Sequence, residues 1–245
     1  MILKRIQDRL LQMGVIISRI LEMHHIPYMI TFGTLLGAVR HKGFIPWDDD
    51  FDLFLFDDTY DAAMKVLAEE LPEDLFLENE TSEPLYFHSW AHVKDLHTVV
   101  NSQQFPQDNI YTHKGLSIDL YRAKRMKECK LESFLLTEHV AYIQRLAKSG
   151  YLAKDVFHAK YSELMQKLDA ITPSNSTKEI FGMTLAERKM EISDVLPLKP
   201  IVFEGIEFMG PHNPDAVLKG FYGNYMQLPP KELQTSHYDE VEFLT

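Results

Sequence analysis

Four of the five residues from 48 to 52 are aspartates, in the run Asp48-Asp49-Asp50-Phe51-Asp52, and the run leads directly into Leu53-Phe54-Leu55-Phe56, which reads as a β-strand. Strand side chains alternate, so Asp50 and Asp52 project from one face and Phe51 and Leu53 from the other. A second strand, Gly115 to Tyr121, alternates Leu116, Ile118 and Leu120 with Ser117, Asp119 and Tyr121, which turns Asp119 away from the apolar side. Asp is depleted from strands, so a carboxylate in mid-strand asks for a reason. Asp50, Asp52 and Asp119 together suit one or two hard cations, Mg²⁺ or Mn²⁺, held through oxygen. Phosphoryl transfer uses such a set: the cation neutralises phosphate and aligns attacking and leaving groups, while a carboxylate accepts the hydroxyl proton. The competing reading of the acidic run is a solvated turn or a charge-protected edge strand. Against it, Leu53 to Phe56 demand burial, which sets some of the acids at the mouth of a core strand.

Upstream, Gly33-Thr34 breaks a short strand, Tyr28 to Phe32, and Thr34 is expected to cap a helix running to about His41. A glycine turn at a helix start offers backbone N–H groups and a hydroxyl to a phosphate, although such turns are common without one.

The remaining elements must carry these residues. Residues 2 to 25 form an amphipathic helix that ends before Ile26-Pro27. A helix spans about Thr59 to Leu71, and Ala91-His92-Val93 and Thr98-Val99-Val100 read as short strands. From Glu128 to about Asp169 the apolar spacing turns helical, with a break at Ser149-Gly150. Ile201 to Phe208 reads as a hairpin turning at Glu204-Gly205, and residues 214 to 226 as a last short helix. The expected fold is α+β, a mixed sheet over about 26–122 with flanking helices and a helical C-terminal half over about 128–245, in a single domain.

The chain has 245 residues, 45% of them hydrophobic and 25% charged, which is ordinary for a globular protein. A net charge of -11 argues against nucleic acid and anionic membrane as broad partners. Cys129 is the lone cysteine, which excludes an internal disulfide and a multi-thiolate metal site. The first residues are interrupted by charges every three or four positions, unlike a signal peptide, and no apolar run is long enough to span a membrane. A cytoplasmic protein is expected, with room for peripheral association at the inner face of a membrane.

The long run from Phe32-Gly33-Thr34-Leu35-Leu36-Gly37-Ala38-Val39-Arg40 through His41-Lys42-Gly43-Phe44-Ile45-Pro46-Trp47 to Asp48-Asp49-Asp50-Phe51-Asp52 resembles the signature of the LicD family. The resemblance continues at Ser117-Ile118-Asp119-Leu120, Phe203-Glu204-Gly205, Pro211-His212-Asn213-Pro214, Tyr222-Gly223-Asn224-Tyr225-Met226 and Pro229-Pro230, and so covers most of the chain. It implies a nucleotidyltransferase-type fold, with Asp50 and Asp52 as the metal pair, Asp119 as third carboxylate and Asp48 as a less certain fourth. It also implies transfer of phosphocholine, or a similar phosphoalcohol, from a CDP-alcohol such as CDP-choline to a glycan or lipid-linked glycan. The acceptor hydroxyl would attack the phosphate nearer the alcohol and CMP would leave. Capsular polysaccharide, teichoic acid and lipopolysaccharide are the candidate acceptors.

Within the signature, Arg40 and Lys42 are candidate diphosphate clamps, or else solvated cations at a helix end. Lys94 is a candidate phosphate contact or a surface lysine. His237 follows Pro229-Pro230 at the family's spacing and is a candidate substrate contact. Trp47 is expected to pack under the acidic loop. Tyr86, Phe87, Trp90, Tyr222 and Tyr225 are available for a choline cage but suit core packing better. Two rival functions stay open: a nucleotidyltransferase that uses an NTP and releases pyrophosphate, and a catalytically inert binding protein of the same fold.

Overall fold

The amphipathic start of the chain folds as α1 (Ile2–Met23), whose Leu10, Met13, Ile17 and Leu21 are completely buried. Each such side chain contributes roughly 1.5–3 kcal/mol of apolar burial. The helix stops short of Ile26-Pro27, where His25 takes a positive φ of 54°. The protein, a computed structural model, is described at residues 2–101, 110–183 and 188–244.

After α1 come β1 (Tyr28–Ile30), α2 (Phe32–Arg40), β2 (Asp52–Phe56), α3 (Tyr60–Glu70), β3 (Leu75–Glu78), β4 (Ala91–Asp95), β5 (Thr98–Asn101) and β6 (Ser117–Lys127). Then follow α4 (Leu131–Lys148), α5 (Lys154–Asp169), β7 (Glu179–Gly182), β8 (Lys189–Glu191), α6 (Ile192–Val195), β9 (Lys199–Phe203), β10 (Ile206–Gly210), α7 (Pro214–Tyr222) and β11 (Glu240–Phe243). The main sheet has the order β1-β2-β6-β4-β3, with β7 added to β6 and β8 to β7. Among the described residues only β2 and β6 pair in parallel; β1, β4, β3, β7 and β8 join antiparallel. The architecture is therefore α+β with a mixed sheet, as expected.

The expected helical C-terminal half is corrected. Helix dominates only through α4 and α5, and the described residues from 179 to 243 carry five strands. Those strands are three to five residues long and take their partners from distant segments, β11 from β5 and β7 from β6, so no local periodicity announces them. β2 also begins at Asp52, leaving Asp50 in the approach to the strand.

Helix α1 backs the acidic loop. Gln7 Nε2 donates to the carbonyl of Asp48 at 2.9 Å, and a Cβ on Gly14 would stand 2.8 Å from the Phe51 ring, which is completely buried between the acids. Arg9 donates to Asp74 and to Asp95 at 2.7 Å each, tying α1 to the far edge of the sheet. A hydrophobic cluster joins α1, the central strands, β9, β10 and α7. A second, smaller cluster of Tyr86, Phe87 and Tyr111, with Tyr142 and Leu146 packed on it, fixes the segment before β4 against α4.

Candidate active site

The centre of the site is a row across four strands. Asp52 of β2 is in register with Asp119 of β6, Asp119 with His92 of β4, and His92 with Glu78 of β3. Directly paired residues share a face, so the four titratable side chains stand side by side. Tyr121 donates its hydroxyl to Asp119 Oδ2 at 2.7 Å, and His92 Nε2 lies 3.4 Å from Asp119 Oδ1. His92 Nδ1 is in turn 3.2 Å from Oε2 of Glu78, a completely buried carboxylate, and Trp90 Nε1 donates to His92 Nε2 at 3.1 Å. Tyr121 thus orients one oxygen of Asp119, while His92 Nε2, which accepts from Trp90, has no proton for the other and stands beside it.

The N-terminus of α2 supplies the opposite wall. The chain reverses at Phe32, whose φ is 42°, a strained value for a residue with a side chain. Its ring is held against Phe54, Tyr121 and Phe221 at 5.4, 5.1 and 5.3 Å between centroids, which over-determines that backbone. Thr34 is not the helix cap: Thr31 occupies that position, and Thr34 Oγ1 accepts from the Asp52 N–H at 2.9 Å. The Gly33 N–H donates to the Asp52 carboxylate. A Cβ on Gly33 would come within 2.8 Å of Asp48 Oδ2 and 3.4 Å of Asp50 Oδ1. Gly33 and Thr34, expected to cradle phosphate, have the acids themselves as their partners, because the nearest anion to this helix start is Asp52.

Asp49 points elsewhere. Its Oδ1 accepts from the His237 N–H at 2.7 Å and lies 3.0 Å from His237 Nδ1, and its Oδ2 accepts from the Tyr238 N–H at 3.1 Å. Asp48, Asp49 and His237 are close enough for a cation, yet both oxygens of Asp49 are already engaged, so we read Asp49 as the clamp that seats the C-terminal segment. That clamp brings His237 Nδ1 to 3.5 Å from Asp50 Oδ2 and 3.9 Å from Asp48 Oδ1.

Crowding marks the electrostatics. Burial, then Asp50, pushes Asp48 up to about 8; burial, together with Asp119 and Asp49, pushes Asp50 up to about 6 in spite of the opposing His237. Burial and the acids Asp50, Asp119 and Asp48 hold Asp52 well above the ordinary carboxylate range. His237 is raised to about 9, first by its bond to Asp49. Asp50 Oδ1 is buried and has no hydrogen-bond partner among the described residues. Oxygen donors that burial discourages from ionising, one of them unsatisfied, fit a hard divalent cation.

The other expected contacts divide. Arg40 reaches the site: Nη1 donates to the Tyr225 carbonyl at 2.6 Å, and its charge acts on Asp48. Lys42 is exposed, has a φ of 67° and donates to the Val39 carbonyl at 3.3 Å, with no ion pair to the acids among the described residues. Lys94 is buried, not a surface lysine; its Nζ stands 4.0 Å from Glu78 Oε2, on the face that His92 occupies. Trp47 packs against the main core beneath the loop. Four residues were missed. Glu78 and Tyr121 had alternation as their only signal, His92 was read just as part of a strand, and Arg188 has none. Arg188 lies just before β8, its guanidinium 5.6, 5.2 and 5.0 Å from the rings of Phe32, Phe221 and Tyr222.

Comparison with known proteins gives this constellation relatives. A family model described as the LicD/FKTN/FKRP nucleotidyltransferase domain matches residues 25–131, which carry Asp48 to Asp52, His92 and Asp119. The lipopolysaccharide cholinephosphotransferase LicD of Haemophilus influenzae is 25% identical, over 91% of this chain and 91% of its own. An uncharacterised protein of Rickettsia typhi is 30% identical over 25% of this chain and 33% of its own, and one of Rickettsia prowazekii is 59% identical over 14% and 13%. The family match falls on the segment that builds the acidic row and the Haemophilus relative aligns along nearly the whole length, so the chain is similar to LicD proteins.

Proposed function

We propose that the protein transfers phosphocholine, or a similar phosphoalcohol, from a CDP-alcohol to a hydroxyl of a cell-surface glycan, on the cytoplasmic side of the membrane. The observation that carries this reading is the in-register pair Asp52–Asp119, with Asp50 beside it, opposite the N-terminus of α2. The Haemophilus relative supports the phosphocholine and the lipopolysaccharide-type acceptor. A nucleotidyltransferase-type fold is inferred from the family's description and the mixed sheet.

Asp50, Asp52 and Asp119 would hold Mg²⁺, or Mn²⁺ in its place, and the cation would offset the charge of the diphosphate. The residues of the chain supply the rest. Arg40, beside Asp48, and Arg188, set over Tyr222, whose hydroxyl feels both Arg188 and Asp52, suit the phosphates of the donor. Gly33 N–H and Thr34 keep Asp52 in place, while Tyr121 keeps Asp119 in place with His92 packed beside it. The acceptor oxygen forms the new bond to the phosphorus nearer the alcohol, the bond to the CMP oxygen breaks, and CMP departs with the electron pair. The hydroxyl proton passes to a carboxylate, for which Asp48, raised to about 8, is basic enough near neutrality.

Incubation with CDP-choline, a glycan acceptor and Mg²⁺ should release CMP and leave a phosphodiester on the glycan. No CMP from any CDP-alcohol with a suitable acceptor would refute the reading. The family's description as a nucleotidyltransferase domain favours one alternative, nucleotidyl transfer from an NTP; phosphorus analysis separates pyrophosphate from CMP. The inert-scaffold alternative predicts no metal-dependent turnover.

A further inference from the structure

We propose that a cavity of about 390 Å³ at the seam between the two hydrophobic clusters is the binding site for the acceptor saccharide. The proposal rests on the glycan-directed reading above and adds where, and by what, the acceptor is held.

The cavity exists because β4 pairs with β6 only from Ser117 to Leu120, while β6 continues to Lys127. Arg122 and Lys124 line the part of β6 beyond that pairing. Tyr60 and Asp61 of α3 contribute one wall, Phe134, Glu138 and Arg145 of α4 another, and Tyr86 and Trp90 the segment before β4. Its volume lies in the range of small-molecule sites, roughly 300–1,000 Å³, room for one or two sugar rings.

The lining chooses among ligand classes. A cationic ligand would need open aromatic faces, but the Arg122 guanidinium already lies 4.9 Å from the Tyr60 ring centre and the Lys124 ammonium 5.6 Å from that of Phe134. An anion would need surplus positive charge, but Asp57, Asp61, Glu80 and Glu138 stand against Arg122, Lys124 and Arg145, and Arg122 is bound to Asp57 at 2.5 Å. Balanced charge, fixed planar hydrogen-bonding groups and aromatic walls suit a neutral polyhydroxylated ligand. Arg145 points the same way: its Nε donates to the Phe87 carbonyl at 2.8 Å, and its Nη2 is buried with no hydrogen-bond partner among the described residues. A sugar hydroxyl would satisfy that donor.

Position links the cavity to the acidic row. Trp90 lines the cavity, its ring lies 5.2 Å from that of Tyr121, and its indole N–H binds His92. Tyr121 and His92 are the two neighbours of Asp119. One layer of side chains therefore separates a seated sugar from the row, and the next hydroxyl or ring of a glycan can extend past it to the reacting phosphate.

The test uses the full chain with methyl glycosides of glucose, galactose and N-acetylglucosamine as probes, read by saturation-transfer NMR without donor. The wild type should give a saturable signal from at least one glycoside. Asp61→Ala and Glu138→Ala, on helix surfaces away from the acids, should weaken it about tenfold and raise the acceptor KM to match, while hydrolysis of CDP-choline in the absence of acceptor stays unchanged. A glycoside signal lost in these variants upholds the cavity even where no CDP-alcohol is turned over, so failure of the functional reading stays distinguishable. No saturable signal in the wild type, or binding unaltered in both variants, overturns the proposal.

Discussion

Asp52 costs the fold stability, and under the proposed function that cost serves chemistry. It is buried, its carboxyl is pushed well above the ordinary range by burial and by Asp50, Asp119 and Asp48, and its placement relies on the Gly33 N–H. Asn has nearly the same shape, can accept the Gly33 N–H and carries no charge to desolvate. Asp52→Asn is therefore expected to abolish CMP release, by a factor on the order of 10³ or more, while raising the melting temperature of the metal-free protein. A melting temperature that falls, with folding otherwise intact, would contradict the crowded-carboxylate account. His92 belongs to the same scale but acts through Asp119. Neighbours that orient a metal ligand typically contribute about 10–100-fold in metal affinity. For His92→Ala, the Mg²⁺ concentration giving half-maximal turnover should rise by about that factor, with turnover largely restored at saturating Mg²⁺. If turnover is lost equally at every Mg²⁺ concentration, His92 touches the reacting groups itself.

At the scale of elements, the strands that carry Asp52 and Asp119 were legible, from the apolar run Leu53 to Phe56 and the two-residue period of Ser117 to Tyr121, whereas Asp50 and Phe51 precede their strand. The hairpin at Glu204-Gly205 was legible too, from its turn residues. The start of α2 was not: glycine drew the turn to Gly33, whereas the packed aromatic rings force Phe32 into the left-handed region. Nor was the row Glu78-His92-Asp119-Asp52, because registers between strands distant in sequence are set by tertiary packing. The same holds for the segment that carries His237 onto Asp49 and ends as β11 on β5. That docking has a predictable pH response. His237 is raised from 6.5 to about 9, so its contribution is fully present below pH 6.5 and lost as pH rises through about 9. Amide protection at His237 and Tyr238 should fall over that interval, and His237→Gln should flatten the response. Protection unchanged up to pH 10 would show that the backbone bonds to Asp49 suffice.

For the whole molecule, the acidic site sets the sign of a stability profile. Asp48 moves from 3.8 to about 8 on folding, Asp50 to about 6, and Asp52 well above 3.8. The folded state therefore holds more protons than the unfolded chain between roughly pH 4 and 8, and the metal-free protein loses stability as pH climbs through that window. His237 does not reverse the trend there, because its stabilising charge persists to about pH 9. A divalent cation would displace those protons, so its affinity must grow with pH. The cation would also reduce the self-repulsion of a chain whose net charge is -11. At a hundredfold excess over Kd, binding adds about 2.7 kcal/mol, which for a chain of this size raises the melting temperature by about 5–10 °C. The Mg²⁺-induced rise should approach that value at pH 8, shrink toward zero at pH 5, and vanish at both in Asp52→Asn. Equal rises at the two pH values would mean that the cation binds somewhere other than among these protonated carboxyls.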